Sequence, residues 1–534
     1  MYSGAAKIVF KTVDISELVP TVSTSVGAIV VPSRQGNADE PILITNKAQF
    51  ITEYGQPIPG DYGHYSALGF LENGNRLYCM RAHKDAKYGG AFITKAGSAT
   101  ANAGIAAGAS DPDAYSFGAD QLLVFFGKNP GVWNQDIGVR ITDVDPAAYT
   151  FTVEVYVEND DGVMELTETY DCSRKQVVDG FGQQTYVEDR INGFSNYIIV
   201  RDNTAEADTV SPKAQATTLD FVLGSDGSAV TNTEIVLAWN KFANPQEIYV
   251  NILINAGYTG LVVQQKMQAI CEDRVDCIAV LDTDYSSLNS VATTVTWRTA
   301  TQLINSSFCA LYAPWIKVFD EYNGQVVSIP PSGDIAGIYA LTDSIYGASH
   351  GAPAGYNRGI LKRSLALDFN SATKKAYTSG ELDTLQDAQV NPLIIDPGWG
   401  IVVFGEDTEQ QARSALSDVH VRRLINQIAV STTKFSKPFL FEPLIERTYF
   451  RVRTALEEYM AQLESLGAFD NVNDKGWRVV CDGTTNNPAS VRDLNELHIW
   501  LFIKPVRVAK YIEIKAVITR STASFDAIIA AGIV

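Results

Sequence analysis

The chain has little charge, and its balance has the wrong sign for a nucleic-acid binder. Only 19% of its 534 residues are charged, and 42 basic against 61 acidic residues leave a formal net charge of −19. Nucleic-acid backbones are bound by basic patches or stripes, and the sequence has no basic run, so direct nucleic-acid contact is not expected. Cysteine is scarce as well. Cys79, Cys172, Cys271, Cys277, Cys309 and Cys481 form no CxxC pair and no regular framework, which reads as buried free thiols in a reducing compartment. The histidines, His64, His83, His350, His420 and His498, fall in neither HxxxH nor HExxH spacing, so no zinc site is expected. There is no GxxxxGK[ST] loop, and no GxGxxG opens a helix after a strand, so no nucleotide cofactor is expected either. No apolar run approaches the roughly 18 residues of a membrane helix. The N-terminal apolar run is short and broken by Lys11 and Asp14, unlike a secretory signal. These absences together predict a chain made and folded in the cytoplasm, without membrane insertion, metal or cofactor.

What is present is ordinary globular material. The apolar fraction is 46% and the aromatic fraction 10%, enough to build packed cores, and the length calls for more than one domain. Low charge with many Tyr, Phe, Ala and Gly also suits a surface largely covered by partner subunits.

Hydrophobic periodicity organises the chain. Residues 7–15 read as a lone strand, which cannot satisfy its own backbone and must pair with something distant, in its own chain or another. Residues 23–81 alternate strands and short helices. Residues 89–110, rich in Gly, Ala, Ser and Thr, read as a linker or irregular edge. From about 120 to 200 the pattern is β, with a hairpin of 149–158 and 163–170 around Asn159 to Gly162. From 230 the α/β pattern returns: helices over 231–242, 259–272, 286–305 and 333–346, strands over 248–254, 277–281 and 308–319. Strand 400–405, helix 408–430, helix 444–466, and strands 498–504 and 511–519 follow. The fold class is a multidomain α/β (α+β) chain with a mixed-sheet α/β core and C-terminal domain, an inserted all-β domain and extended terminal arms. Its expected divisions are a strand arm (1–22), the first part of the core (23–92), the all-β insertion (93–215), the second part of the core (216–400), a C-terminal domain (401–519) and a tail (520–534).

The clearest single element is the amphipathic helix after Pro443. Proline suits a helix start, where its missing N–H would be unpaired anyway. Tyr449, Val452, Leu456, Tyr459, Met460, Leu463 and Leu466 recur at helical spacing, and Gly467 is the expected stop. Glu446, Arg447, Arg451, Arg453, Glu457, Glu458 and Glu464 populate the rest of its surface.

Two motifs invite chemistry. Gly347 to Gly351 spells the GxSxG nucleophile elbow, but that motif needs a strand before the serine and a helix after it; here a helical pattern precedes, and Pro353 and Gly355 follow. Asp282 and Asp284, at the end of an apolar strand, resemble the two-aspartate start of a Mg²⁺-dependent phosphotransferase. No downstream lysine and acidic pair completes that set. An α/β enzyme using Asp282 and Asp284 is therefore the alternative reading. The simpler one is a strand end followed by a helix capped by Ser286 or Ser287.

The chain resembles the tail sheath proteins of contractile bacteriophages and, more broadly, the sheaths of contractile injection machines. The motifs that carry the resemblance run in order: Val22 to Ser25 with Gly27-Ala28, Pro41 to Thr45, Pro130 to Asn134, and Leu223 to Gly227. Then come Tyr312 to Lys317, Ile329 to Gly333 with Ala336 to Ala340 and Asp343, and Ala352 to Gly355. Asn391-Pro392, Phe404 to Thr408, Val421 to Leu424, Phe441 to Pro443, Glu446 to Thr448, Arg451 to Arg453, Cys481-Asp482 and Asn486 to Pro488 follow. Phe404 stands where the family usually has Trp, and Asp407 where it usually has Arg.

The resemblance implies a structural, non-enzymatic subunit of the virion tail. Copies would form hexameric rings stacked helically around an inner tail tube, meet baseplate and tail terminator proteins at the ends, and assemble in the host bacterial cytoplasm. Contraction would drive the tube through the host envelope without nucleotide, the energy coming from a better interface between subunits in the contracted form. It further implies that the insertion lies outside and the C-terminal domain faces the tube. Terminal strands through Lys7, Ile8, Val9 and Phe10, and through Tyr511, Ile512, Ile514 and Val517, would join sheets of neighbouring copies, with 16–22 and 505–510 as flexible links. Arg447, Arg451 and Arg453, on the charged face of helix 444–466, are the candidate tube contact, and helix 408–430 is another candidate.

Overall fold

A computed structural model describes residues 19, 23–159, 161–178, 182–472 and 474–510. The chain divides into two compact units, Pro20–Phe435 and one that takes in Ser436–Val534. The first is built on an eight-stranded sheet ordered Gly400–Val403, Val390–Asp396, Cys309–Ala313, Ile278–Asp282, Ile252–Ile254, Gly27–Pro32, Leu77–Ala82 and Ile42–Ile44. Its inner strands pair in parallel, and both edge strands run antiparallel to their neighbours. Segments such as ILI, IAVLD and CALYA are buried along their whole length, as parallel strands covered on both faces must be. One face packs Phe50, Tyr54, Phe70, Ile335 and Tyr339; the other packs Trp239, Val263, Met267 and Leu385.

The β-rich insertion forms two antiparallel four-stranded sheets between Gly90 and Asp220. Thr150–Glu158 and Met164–Ser173 pair in the expected hairpin. The Gly/Ala-rich stretch is not merely a linker: Gly90–Thr94 lies between Gln121–Gly127 and Ala103–Gly104 within a sheet. Gly90 is required there, because a Cβ would stand 2.2 Å from the Phe125 carbonyl oxygen. Arg81 ties the insertion to the core. Its buried guanidinium donates to the carbonyls of Ser33, Arg34, Gly36 and Pro130.

Several expected elements differ. The strand expected over 308–319 is two strands broken at Pro314, which has no N–H to continue a ladder. Cys309–Ala313 stays in the large sheet, and Trp315–Asp320 joins a three-stranded antiparallel sheet with Gln325–Ile329 and Ser364–Asp368. The helix expected over 286–305 is a short turn, Tyr285–Asn289, then Val291–Thr296 and a wider-wound Trp297–Gln302. Its cap is Ser290, whose Oγ accepts the Thr293 amide at 3.2 Å, rather than Ser286 or Ser287. The helix expected from 408 starts at Val419. The C-terminal division also falls later than 401. Gly400–Val403 is hydrogen-bonded into the large sheet, and the break between units follows Phe435.

Candidate assembly site in the C-terminal segment

The amphipathic helix spans Glu446–Ser465. Its buried row, Tyr449, Val452, Leu456, Tyr459, Met460 and Leu463, is the stripe expected from the sequence except for Leu466, which caps the helix and is exposed. Pro443 stands before the first turn rather than in it, and Thr448 Oγ donates to its carbonyl at 2.8 Å. Gly467, at φ 87°, ends the helix. Its amide reaches the Glu464 carbonyl at 2.9 Å and the Ala468 amide reaches Leu463 at 3.1 Å, the paired bonds of a Schellman stop.

Beside the helix lies a two-stranded antiparallel sheet, Trp477–Val480 with Trp500–Ile503. Trp477 and Val479 are buried, whereas Trp500 and Phe502 are 44% and 54% exposed. Each strand has one partner among the described residues, and among those residues its other edge pairs with no further strand, the kind of edge that accepts an added strand. Asn486 and Asn487 fix the far end of this sheet. Asn486 Nδ2 donates to the carbonyls of Val480 and His498 at 2.7 Å each. Asn487 Oδ1 accepts the His498 amide at 2.6 Å. Two adjacent side-chain amides after a strand are the local signal for this role. Asp482 caps the same turn, and the amides of Thr485 and Thr484 hold its carboxyl down to about 2. Burial pushes the neighbouring Cys481 thiol up to about 11, so it is no nucleophile at neutral pH.

The expected link at 505–510 starts later than its first residue. Pro505 bridges Phe469, and the Val506 amide donates to Ala468 at 3.2 Å. The strand-exchange residues Lys7, Ile8, Val9, Phe10, Tyr511, Ile512, Ile514 and Val517 lie outside the described residues.

The three candidate tube-contact arginines do not form one cluster. Arg447 and Arg451 are one turn apart, but Arg453 lies ~160° around the helix from Arg451 at 100° per residue. The Arg451 guanidinium lies 5.4 Å from the Phe439 ring centre, and that of Arg453 lies 5.7 Å from Phe450. Arg447 is exposed and makes no ion pair among the described residues.

The chemical motifs are occupied by structure. Asp282 is fully buried, and its carboxylate accepts from the Ser332 amide at 2.9 Å, Ser332 Oγ at 2.6 Å and the Gly257 amide at 2.8 Å. It thus holds the start of helix Ser332–Tyr346 onto the sheet. Asp284 accepts from Thr259 Oγ at 3.0 Å and from Ser286 Oγ. Burial still pushes the Asp282 carboxyl up to about 7 against these bonds. In the GxSxG segment, Gly347, at φ 71°, closes a helix, and Ser349 Oγ donates to Asp343 at 3.4 Å. Among the described residues no group of three or more His, Cys, Asp or Glu side chains is arranged to hold a metal ion, and no helix is long and apolar enough to cross a membrane.

The architecture is that of contractile sheath proteins. It superposes on a sheath tail protein from Listeria innocua with a TM-score of 0.57, at 11% identity, covering 90% of this chain and 95% of that one. Against the contracted helical sheath of the anti-feeding prophage the TM-score is 0.56 at 14% identity, over 97% and 99% of the two chains.

Sequence comparison then relates the chain to the tail sheath proteins of contractile phages. It is 30% identical over 323 residues to the tail sheath protein of Enterobacteria phage T4, covering 57% of this chain and 47% of the relative. It is 29% identical over 343 residues to the tail sheath protein of Vibrio phage KVP40, covering 59% and 49%. The matched part is thus about half the length of each of these relatives. No protein-family model matches the sequence.

Proposed function

We propose that the chain is a structural subunit of a contractile tail sheath. Copies polymerise helically around an inner tube, join a baseplate at one end and a terminator at the other, and shorten to drive the tube through a bacterial envelope. The virion tail is its place of work. The observation that supports this most is the correspondence of the fold, nearly end to end, with the contracted sheath of the anti-feeding prophage. Asp282, the first of the residues that invited an enzymatic reading, is spent on holding a helix to a sheet, which suits a mechanical part.

The two-stranded sheet in the C-terminal unit supplies edges for strand exchange, and the segments 7–15 and 511–519 are the strands that a neighbouring copy would add to them. Trp500 and Phe502 would then lose water on assembly. A charged contact suits a tube that must be released on firing, because exposed ion pairs are weak. Within helix Glu446–Ser465 that role falls to Arg447. Electron microscopy of the purified full chain tests the reading. Tubular polymers of helical symmetry are expected, and monodisperse particles at every concentration and salt would overturn it.

A further inference from the structure

The first continuously described segment, Ser23–Val26, belongs to no strand, yet side chains from three distant elements hold it. Two come from the lead into strand Ile252–Ile254. Tyr249 Oη and Asn251 Nδ2 donate to the Ser23 carbonyl at 3.0 and 2.8 Å. Asn251 Oδ1 accepts the Val26 amide at 2.8 Å. The third is Arg423, on helix Val419–Ser436, whose Nη2 donates to the Thr24 carbonyl at 3.2 Å. The fourth is Asp343, on helix Ser332–Tyr346, which accepts from Ser25 Oγ at 3.3 Å. Arg423 and Asp343 are 4% and 3% exposed and bind each other through both carboxylate oxygens, at 2.9 and 2.5 Å. The Val26 carbonyl takes the amides of Asn251 and Ile252.

A surface loop would leave its carbonyls to water. Here Ser23, Thr24 and Val26 are held by side-chain donors, a cationic one among them, and by strand-edge amides, and charge-assisted bonds are stronger and more directional than neutral ones. Immediately beyond Val26 the chain enters Gly27–Pro32, an inner strand paired along its length with Leu77–Ala82. We propose that Tyr249, Asn251, Arg423 and Asp343 form a clamp that fixes the root of the N-terminal arm. Tension reaching the chain at Ser23 is thereby delivered to the large sheet through 23–26. This rests on the reading of residues 1–22 as an arm shared between copies. The four side chains are positioning residues for assembly.

The test uses the full chain carrying Asn251→Ala, which removes two donor–acceptor links at once, and Tyr249→Phe, which removes only a hydroxyl. Three readouts are taken: hydrogen exchange of the peptide covering 23–26 in unassembled protein, melting temperature, and the concentration at which polymers appear. For N251A the expected result is exchange at 23–26 at least tenfold faster, a melting temperature within a few degrees of the parent, and an assembly threshold raised at least tenfold. Y249F should move exchange and threshold in the same direction by two- to threefold, and it carries the test alone if N251A does not fold. Unchanged exchange would show that the clamp does not hold the root. Faster exchange with an unchanged threshold would show that the held root does not serve assembly. Either result overturns the proposal. A parent chain that never polymerises instead sinks the sheath reading, and the assembly role of the clamp with it.

Discussion

The guanidinium of Arg81 donates to the carbonyl of Pro130, joining the strand Leu77–Ala82 of the large sheet to the root of the β insertion. The same side chain holds Ser33, Arg34 and Gly36, so a single buried cation, with a pKa pushed down to about 10 by burial, closes four backbone acceptors. Arg81→Lys keeps the charge but cannot fork to four carbonyls. Each buried carbonyl left without a donor costs about 1–3 kcal/mol. The variant is expected to lose about 3 kcal/mol of stability on that scale, with limited proteolysis releasing the insertion first. Loss of the core and insertion together in one step would show that Arg81 is not what joins them.

Asp282 makes a pH prediction. Its folded pKa, about 7, is raised by burial above the ordinary aspartate value of 3.8. A raised carboxyl pKa means that the folded state holds its proton more tightly than the unfolded chain. Its contribution to stability is then fully present below about pH 4 and is lost as pH rises through about 7. Asp282→Asn cannot titrate, so its unfolding free energy should fall less steeply between pH 4 and 7 than that of the parent. The amide also turns a donor toward one of the groups that now donate to Asp282, costing about 1–3 kcal/mol. Chemical denaturation across that pH range measures both. Polymer formation should survive, whereas an Mg²⁺-dependent phosphotransferase would lose its activity in the same variant.

Gly467 is the stop that the sequence named. At φ 87°, Gly467→Ala places a Cβ in the left-handed region at a cost of about 1–2 kcal/mol. The C-terminal unit should melt earlier by that amount, with the exchange protection of Ala468 reduced. An unchanged melt would mean that the stop contributes nothing to the stability of the helix.

The elements that the sequence foretold are those whose pattern is locally complete. Tyr449 to Leu463 repeats at helical spacing and the helix ends on a glycine, and the inner strands are built on apolar runs such as Ile278 to Leu281. What escaped depends on partners far along the chain. The strand expected over 248–254 is present, but only Ile252–Ile254 of it pairs, between Gly27–Pro32 and Ile278–Asp282, and that length is set by those neighbours. Pro314 marks a break, but nothing local says that Trp315–Asp320 then pairs with Gln325–Ile329 and Ser364–Asp368. Residues 408–418 carry enough apolar letters to extend a helix, but Thr408 is bound back to Ser417 and Leu416, so the helix waits until Val419. The site divided in the same way. Its helix was legible, and the chemistry of Asp282 was not, because Ser332 and Gly257 had to be brought to it. The three arginines were grouped as one charged face, and the helical turn sets Arg453 apart from Arg447 and Arg451.

Among the described residues Arg447 makes no ion pair and is exposed on the first turn of its helix, while Arg451 and Arg453 lie near aromatic rings. If it holds the inner tube before firing, the contact is a surface ion pair, worth about 0–1 kcal/mol per copy, and its strength comes from repetition along the polymer. Arg447→Glu should then leave tube-free polymers intact while lowering the fraction that co-sediments with the tube protein several-fold. The defect should shrink with added salt, since the screening length falls from ~10 Å at 0.1 M to ~3 Å at 1 M. Arg453→Ala should behave as the parent, because its guanidinium is turned to Phe450 on another face. Equal co-sedimentation of the parent and R447E at low salt would move the tube contact off this helix.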